Sequence, residues 1–317
     1  MSSHIYIAKP VALVTAREAL RLDDDMPLLV AALRRAGAVV ETPSWDDASV
    51  DWTRYAVAVL RSTWDYVDRI GEFLAWCEHC AGRTRLLNPP AVVHWNTDKH
   101  YLVDLAGAGV PVVPTRFIEP GADAMDELAL FRSGARDAVS VGEAGDFAEF
   151  VVKPAIGAGS RDTMRYDRSE NERPLAHLQR LLDAGRSVML QPYLDRVDDD
   201  GETAVLYLGG EFSHAIRKGP LLRAGAGLVE GLFAPEDIRP RAPDPAELAV
   251  GDAACAAIPC DAPAYARVDL IRDERGAPLV LELELTEPSL FFAHAPGSAE
   301  RFAKYLLQWI CPVAPRT

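Results

Sequence analysis

Short apolar runs alternate with segments of helical spacing along the first third of the chain. Val11–Thr15, Ala38–Thr42 and Tyr55–Arg61 are mostly apolar runs of strand length, so they predict strands. Met26–Ala36 and Ile70–Cys80 carry apolar residues at helical spacing and predict helices. Strands and helices that alternate with short connections favour a parallel sheet covered on both faces.

The pattern becomes less regular beyond residue 97. Thr97 is expected to cap a helix over Asp98–Ala106, and Val110–Ile118 is predicted to be extended. The remaining predicted elements are strands Phe150–Pro154, Val188–Leu194, Thr203–Leu208 and Glu211–Ile216, helices Leu175–Ala184, Pro245–Ile258 and Ala299–Ile310, and a hairpin across Tyr265–Leu285. The expected fold class is α/β followed by α+β.

The acidic hairpin is the strongest single feature of the sequence. Side chains alternate across a strand, so Arg267 shares a face with Asp269, and Glu282 shares one with Glu284. If the two strands pair through a turn at 273–278, Asp269 lies beside Glu282. Like charges that face each other destabilise a sheet, and a hard cation such as Mg²⁺ would remove the conflict. A solvated acidic face is the alternative.

A lysine beside a glycine-rich loop is a second candidate site. Lys153 ends a predicted strand, and Gly157 and Gly159 follow in the next loop. One fixed positive charge with close backbone amides suits a polyphosphate, although a plain turn is the alternative. The loop has neither the Walker A nor the dinucleotide-binding spacing. Lys99 lies near the start of a predicted helix, where the dipole disfavours a cation, so it is expected to serve another group.

Composition narrows the class of partner. The 317 residues include 33 Lys and Arg against 47 Asp and Glu, a net charge of −14, which disfavours nucleic acid. A small anionic ligand would therefore have to be met by local lysines. Five cysteines, an odd number, favour a reducing compartment over a disulfide framework. No apolar run reaches membrane-spanning length, so a cytoplasmic protein is expected. A homo-oligomer remains possible.

Six elements in a fixed order resemble the ATP-grasp superfamily. They are Asp98-Lys99 with the later Gly109–Val112, Val152–Pro154 with the glycine-rich loop, Leu190–Leu194, Gly201–Thr203, Arg267–Asp269, and Leu281–Glu284. The layout covers essentially the whole chain and is similar to the D-alanine–D-alanine ligase and glutathione synthetase branches. The resemblance implies an N-terminal α/β substrate-binding domain over residues 1–97, a central lid subdomain over 98–194 and a C-terminal metal-binding domain over 195–317.

The resemblance also implies ATP and Mg²⁺ as cofactors and assigns residues to them. The expected nucleotide-binding residues are Lys99, Lys153, Gly157, Gly159, Ser160, Gln191, Tyr193, Leu194 and Glu202. The residues expected at the transferred phosphoryl group are Arg267 and Lys218, with Arg217 the next candidate, and the expected magnesium ligands are Asp269, Glu282 and Glu284. Relatives usually have Asn where this chain has Glu284, which bears on the number and coordination of the ions.

The substrate is expected to be a small amino-acid-like molecule bound near the N-terminal sheet. Leu60–Tyr66 follows directly on a strand, at the end of the sheet where α/β proteins bind ligands. Arg61 would pair with a substrate carboxylate and Asp65 with an α-amino group, while Arg161 is a second carboxylate-binding candidate. An aromatic-rich loop with a surface ion pair is the alternative interpretation.

The chain further resembles cyclo-ligases that form D-cycloserine from O-ureido-D-serine. This similarity rests on Arg61–Tyr66, Gly157–Arg161 and Glu282–Thr286 together. It implies that ATP phosphorylates a carboxylate, that a nitrogen of the same molecule displaces the phosphate, and that a carbamoyl group is shed. An intermolecular amino-acid or peptide ligase and a non-catalytic nucleotide-binding module are the two alternatives.

Overall fold

The computed structural model describes residues 9–135, 140–142, 146–159, 161–222 and 237–310. The N-terminal part is a four-stranded parallel sheet of order β2-β1-β3-β4. Its elements are β1 (Val11–Thr15), α1 (Asp25–Arg35), β2 (Val40–Glu41), β3 (Val57–Ser62), α2 (Ile70–Ala81), β4 (Arg85–Leu87) and α3 (Pro90–Thr97). Every residue of β1 and β3 is buried, as expected for parallel strands covered on both faces.

The predicted helix start at Thr97 is wrong. Helix α3 begins with Pro90 at its first turn and ends at Thr97, and the next helix, α4 (Tyr101–Gly107), begins after a break. In that break the Lys99 amide donates a hydrogen bond to the Ala155 carbonyl, which lies next to the glycine-rich loop. Lys99 is therefore fixed by a contact distant in sequence.

The central part is an antiparallel sheet of order β6-β5-β9-β7-β8. Its elements are β5 (Thr115–Ile118), α5 (Ala124–Ser133), β6 (Ser140–Val141), β7 (Glu149–Pro154), β8 (Met164–Asp167), α6 (Glu172–Asp183) and β9 (Val188–Pro192). One face packs on α5 and α6 through a hydrophobic cluster that includes Phe131, Phe150 and Leu181. The other face is left to form one side of a cleft.

The C-terminal part is a second antiparallel sheet, of order β12-β11-β10-β13-β14. Its elements are α7 (Arg196–Asp200), β10 (Glu202–Leu208), β11 (Glu211–Lys218), β12 (Ile238–Arg241), α8 (Pro245–Ala256), β13 (Tyr265–Arg272), β14 (Pro278–Glu284) and α9 (Ser298–Leu307). The expected fold class, α/β followed by α+β with a parallel N-terminal sheet and an antiparallel C-terminal sheet, is confirmed. Each sheet falls within one predicted domain, although the boundaries themselves remain a prediction.

The sheets are tied together by shared hydrophobic clusters. Helix α9 places Phe302 and Leu306 between the N-terminal strands and β10. Helix α4 and the following segment pack Leu102 and Val112 against the hairpin β13–β14. Short 3-10 segments over Ala19–Arg21, Trp52–Arg54, Trp64–Asp68 and Phe292–His294 complete the described elements. In the described part of the chain, no helix is long and apolar enough to cross a membrane.

Candidate active site

A cleft of about 210 Å³ opens between the two antiparallel sheets, and the segment after β3 also lines it. The hairpin supplies one wall. Asp269 pairs in register with Glu282 and Arg267 pairs with Glu284, which confirms the register that the alternation predicts. All four side chains line the cleft. The carboxylates therefore converge on one face, and Leu283, between them, belongs to the core on the other.

Each hairpin carboxylate is paired with a cation. Asp269 is 2% exposed and accepts hydrogen bonds from Lys218 Nζ at 2.7 Å and Arg267 Nε at 2.9 Å. Glu282 lies 3.0 Å from Lys99 Nζ, and Glu284 contacts Arg267. Glu282 and Glu284 are each 26% exposed, so they keep oxygen surface toward the cleft.

These surroundings separate the pKa values of the three carboxyls. Burial opposes ionisation of Asp269, but Arg267 and Lys218 outweigh it and hold its pKa below the ordinary value. The pKa of Glu282 also lies below its ordinary value. Burial raises it, but the charges of Lys99 and Lys153 outweigh burial. Burial dominates at Glu284 and raises its pKa to about 7. Divergent pKa values among clustered carboxyls are typical of functional sites.

Lysines from three different elements face the same cleft. Lys99 donates to the Gly157 carbonyl at 2.8 Å, and Lys218 lies 2.8 Å from Glu202. Lys153, on β7, is 8% exposed and forms no ion pair within the described residues. Burial lowers the pKa of Lys153 to about 8, and the charge of Glu282 only partly opposes that effect. A buried ammonium group without an anion is a site that a phosphate would satisfy.

Apolar side chains line the part of the cleft beside β9, which we call the apolar slot. Leu194, Val197 and Ile271 line the slot, and Val151 lies on the facing sheet. Gln191 is 1% exposed and donates to Thr115 Oγ1 at 2.8 Å, which fixes the end of β9. An apolar slot beside a strand end suits a planar base held by main-chain groups.

Tyr193 and Glu202 also line the cleft. The Arg165 guanidinium lies 3.5 Å from the centroid of the Tyr193 ring, and the Tyr193 hydroxyl donates to Asp198 at 2.6 Å. Glu202 begins β10 and lines the cleft beside Lys218. The nucleotide-binding residues expected at the end of β9 and the start of β10 therefore line the same cleft.

The glycine-rich loop lies over the same cleft. Gly159 has φ +64°, a left-handed conformation that glycine adopts without strain. Gly157 and Gly159 both line the cleft, whereas Ser160 lies outside the described residues. Arg161 lines the cleft and forms a two-point ion pair with Asp68 at 2.9 and 3.1 Å. That pair joins the loop to the N-terminal part of the chain.

Comparison with known proteins assigns this geometry to a family. The cycloserine biosynthesis protein DcsG of Streptomyces lavendulae is 42% identical over 309 residues, 95% of this chain and 99% of DcsG. The chain belongs to the DcsG family. A crystal structure of D-cycloserine synthetase DcsG superimposes with a TM-score of 0.87 at 40% identity, over 95% of this chain and 99% of that one.

One further comparison supports the family, and another supports the fold. The family described as D-cycloserine synthetase DcsG, N-terminal domain, matches residues 11–88. The ATP-grasp ligase PsnB, solved with a phosphomimetic variant of its minimal precursor, Mg and ADP, has a TM-score of 0.62 at 16% identity, over 96% of this chain and 100% of PsnB. At that identity the likeness shows the fold alone. The chain is an ATP-dependent ligase with the ATP-grasp fold.

Three residues expected at the site lie elsewhere in this DcsG family member. Arg217 points away from the cleft because it alternates with Lys218 on β11, and it binds the Asp200 carbonyl at 2.9 Å. Arg61 is 1% exposed and donates to the Pro288 carbonyl at 3.1 Å instead of lining the cleft. Asp65 accepts from Trp45 Nε1 at 2.8 Å and from Arg69. These contacts account for Arg217 and Asp65, whereas Nε and Nη1 of the buried Arg61 have no hydrogen-bond partner among the described residues.

The position of Arg61 indicates a positioning role. Arg61 and Asp25, a pair 3.7 Å apart, lie beneath the loop over residues 286–292. Asp25 accepts the amides of Leu290, Phe291 and Phe292 at 2.6–2.9 Å. The two charged side chains therefore hold one wall of the cleft by its backbone.

Arg61→Ala should accordingly lower stability as well as substrate affinity. Removing one partner of a buried pair costs about 3 kcal/mol, because the other charge is left unpaired. The exposed pair Arg54–Glu41 offers a matched control, and Arg54→Ala should cost less than about 1 kcal/mol. Chemical denaturation measures both variants. An Arg61→Ala protein of unchanged stability with lost substrate binding would instead favour direct contact with substrate.

The lowered pKa of Lys153 predicts a pH dependence of ATP binding. Lys153 is charged below pH 8 and neutral above it, so ATP affinity should fall as the pH rises through 8. Each further unit should weaken binding by at most roughly tenfold. Arginine stays protonated in this range, so Lys153→Arg should remove the decline, whereas Lys304→Arg at an exposed position of α9 should not. Calorimetric titration of ATP at several pH values measures the affinity of both variants. An unchanged decline of ATP affinity in Lys153→Arg would exclude Lys153 as the cause of the pH dependence.

Sequence reasoning missed Glu287 as a cleft residue and gave no role to Trp64 and Tyr66, although it named their segment. All three line the cleft. Glu287 lies in the loop beyond β14, where the alternation of a strand no longer applies. The available signal was its position three residues after Glu284, in a loop that continues from the acidic hairpin.

Proposed function

We propose that the protein uses Mg-ATP to cyclise O-ureido-D-serine to D-cycloserine. The observation that carries the proposal is one cleft in which Lys153, Lys218 and Arg267 meet the hairpin carboxylates, in a chain closely similar to D-cycloserine synthetase. Cations would hold a polyphosphate, and carboxylates would hold a metal beside it. This is the arrangement that phosphoryl transfer requires.

The residues present fit ATP and magnesium. Lys153 offers a buried ammonium group, and the slot lined by Leu194 and Ile271 offers apolar surface for a base. Asp269, Glu282 and Glu284 supply only oxygen, the donor that magnesium prefers. In the described part of the chain, no group of three acidic, His or Cys side chains is arranged to hold a metal ion. Each hairpin carboxylate instead contacts a lysine or an arginine. Phosphates would draw those cations away.

The proposed reaction has two steps. The substrate carboxylate attacks the γ-phosphorus, ADP leaves, and an acyl phosphate forms. In the second step the nitrogen attached to the side-chain oxygen attacks the acyl carbon, phosphate leaves, and water takes up the carbamoyl group as carbamic acid, which decomposes to ammonia and carbon dioxide. Bound magnesium would supply charge neutralisation at the phosphates. Arg267 and Lys218 would stabilise charge on the transferred group, and the loop with Gly157 and Gly159 would exclude water from the acyl phosphate.

An intermolecular amino-acid ligase is the second candidate, because it would share the whole ATP site. A phosphate-release assay with a panel of amino acids, each alone and in pairs, separates the two. The proposed function predicts release with O-ureido-D-serine alone, since both reacting groups belong to one molecule. Release that requires a second amino acid would favour the intermolecular ligase.

A further inference from the structure

Glu287 is the one carboxyl of the cleft wall that the roles above leave unassigned. It is 9% exposed and lines the same cleft as Lys99 and Arg267. Its main-chain carbonyl accepts a hydrogen bond from Trp64 Nε1 at 3.2 Å, and its carboxyl is hydrogen-bonded by the Tyr66 hydroxyl. Two residues of the N-terminal part of the chain therefore fix its place in the cleft.

Its electrostatic surroundings differ from those of the hairpin. Asp269, Glu282 and Glu284 each contact a lysine or arginine, while Glu287 forms no ion pair within the described residues. Burial raises the pKa of Glu287 to about 8, and the negative charge of Glu284 adds to the effect. A buried carboxyl that contacts no cation of the protein is stabilised by a ligand that brings one.

We propose that Glu287, with Tyr66 beside it, binds the protonated α-amino group of the amino-acid substrate. The inference rests on the proposed function, which requires the substrate carboxylate to lie at the cationic end of the cleft, near Arg267 and Lys218. The ammonium group then needs a carboxyl that contacts no cation of the protein. Among the described carboxyls that line the cleft, Glu287 is the one without an ion pair.

This contact also accounts for how the substrate is oriented. A molecule held by its carboxylate and its ammonium group has two of the four substituents of its α-carbon fixed. The side chain with the attacking nitrogen then has one direction for each enantiomer, so Glu287 would contribute to stereochemical choice. Asp65, expected from the sequence to hold the amino group, is bound to Trp45 and Arg69 instead.

The test compares a substrate with its deamino analogue. ADP formation is measured with O-ureido-D-serine and with 3-(ureidooxy)propanoate, which lacks the amino group, in wild-type protein and in Glu287→Gln. Loss of a charge-assisted hydrogen bond should raise the KM of the amino substrate about 10- to 100-fold in the variant. The KM values of the deamino analogue and of ATP should both stay within about threefold of wild type, because neither involves the ammonium group.

Two controls keep the result interpretable. Glu274→Gln, in the exposed turn of the hairpin, makes the same chemical change outside the cleft and should alter nothing. If Glu287→Gln does not fold, Tyr66→Phe replaces it and should raise the KM of the amino substrate alone, by about three- to tenfold. Equal losses with both substrates, or an unchanged preference for the amino substrate, would overturn the inference.

Failure of the proposed function would be seen separately. If wild-type protein releases no phosphate with O-ureido-D-serine, the cyclisation proposal fails by itself. The comparison then uses the amino acid accepted in the panel and its own deamino counterpart. Loss of discrimination between those two in Glu287→Gln would still support the ammonium site, and retained discrimination would overturn it.

Discussion

Glu282→Gln should reduce ADP formation by about a hundred- to a thousandfold while leaving the protein folded. The amide keeps the shape of the side chain but removes the charge that faces Lys99 and would hold magnesium. The fold should persist, because Glu282 is 26% exposed and packs no core. Coupled measurement of ADP, together with a thermal midpoint, tests both statements.

Glu211→Gln provides the matched control for that variant. Glu211 lies at the exposed start of β11 in the same sheet, so the same chemical change should leave turnover within about twofold. Undiminished turnover in Glu282→Gln would remove the hairpin from the mechanism. A loss that higher magnesium concentration partly restores would support a metal ligand in particular.

Arg267→Met should lower kcat by roughly a thousandfold, because the guanidinium would stabilise the transferred phosphoryl group. The variant also removes a hydrogen-bond partner of Asp269 and Glu284, so stability should fall as well. Arg267→Lys should restore stability better than activity, since an ammonium group cannot reproduce the two-point geometry.

Arg239→Met controls for the loss of one positive charge outside the cleft. Arg239 lies on β12 of the same sheet, and its side chain is 70% exposed, so its loss should change kcat by less than about twofold. Single-turnover kinetics at saturating Mg-ATP measure all three variants. A kcat for Arg267→Met that matches Arg239→Met would show that Arg267 has only a structural role.

The geometry of the hairpin was predictable from sequence because it depends on residues that are close together along the chain. Alternation along two strands joined by a short turn places Asp269 beside Glu282, and the observed register agrees. Lys153 was predictable for a similar reason, since it ends an apolar strand next to glycines. Alternation along β11 also separates Lys218 from Arg217, but the direction of the cleft was needed to choose between them.

Arg61 shows where such reasoning fails. Every residue of β3 is buried, so the strand has no polar face from which the direction of a side chain could be inferred. The contacts that capture Arg61 come from Asp25 and Pro288, which are distant in sequence. Glu287 was missed for a related reason, because its loop has no periodicity and its contacts, Trp64 and Tyr66, lie in a 3-10 segment that is distant in sequence.

The most direct measurement of the account is product formation from one substrate. Protein, Mg-ATP and O-ureido-D-serine are incubated without any added amine, and D-cycloserine and ADP are quantified by mass spectrometry. The account predicts D-cycloserine and ADP in equal amounts, with neither formed in the Glu282→Gln variant at a comparable rate. ADP formation without the cyclic product, or turnover only after a second amino acid is added, would contradict it.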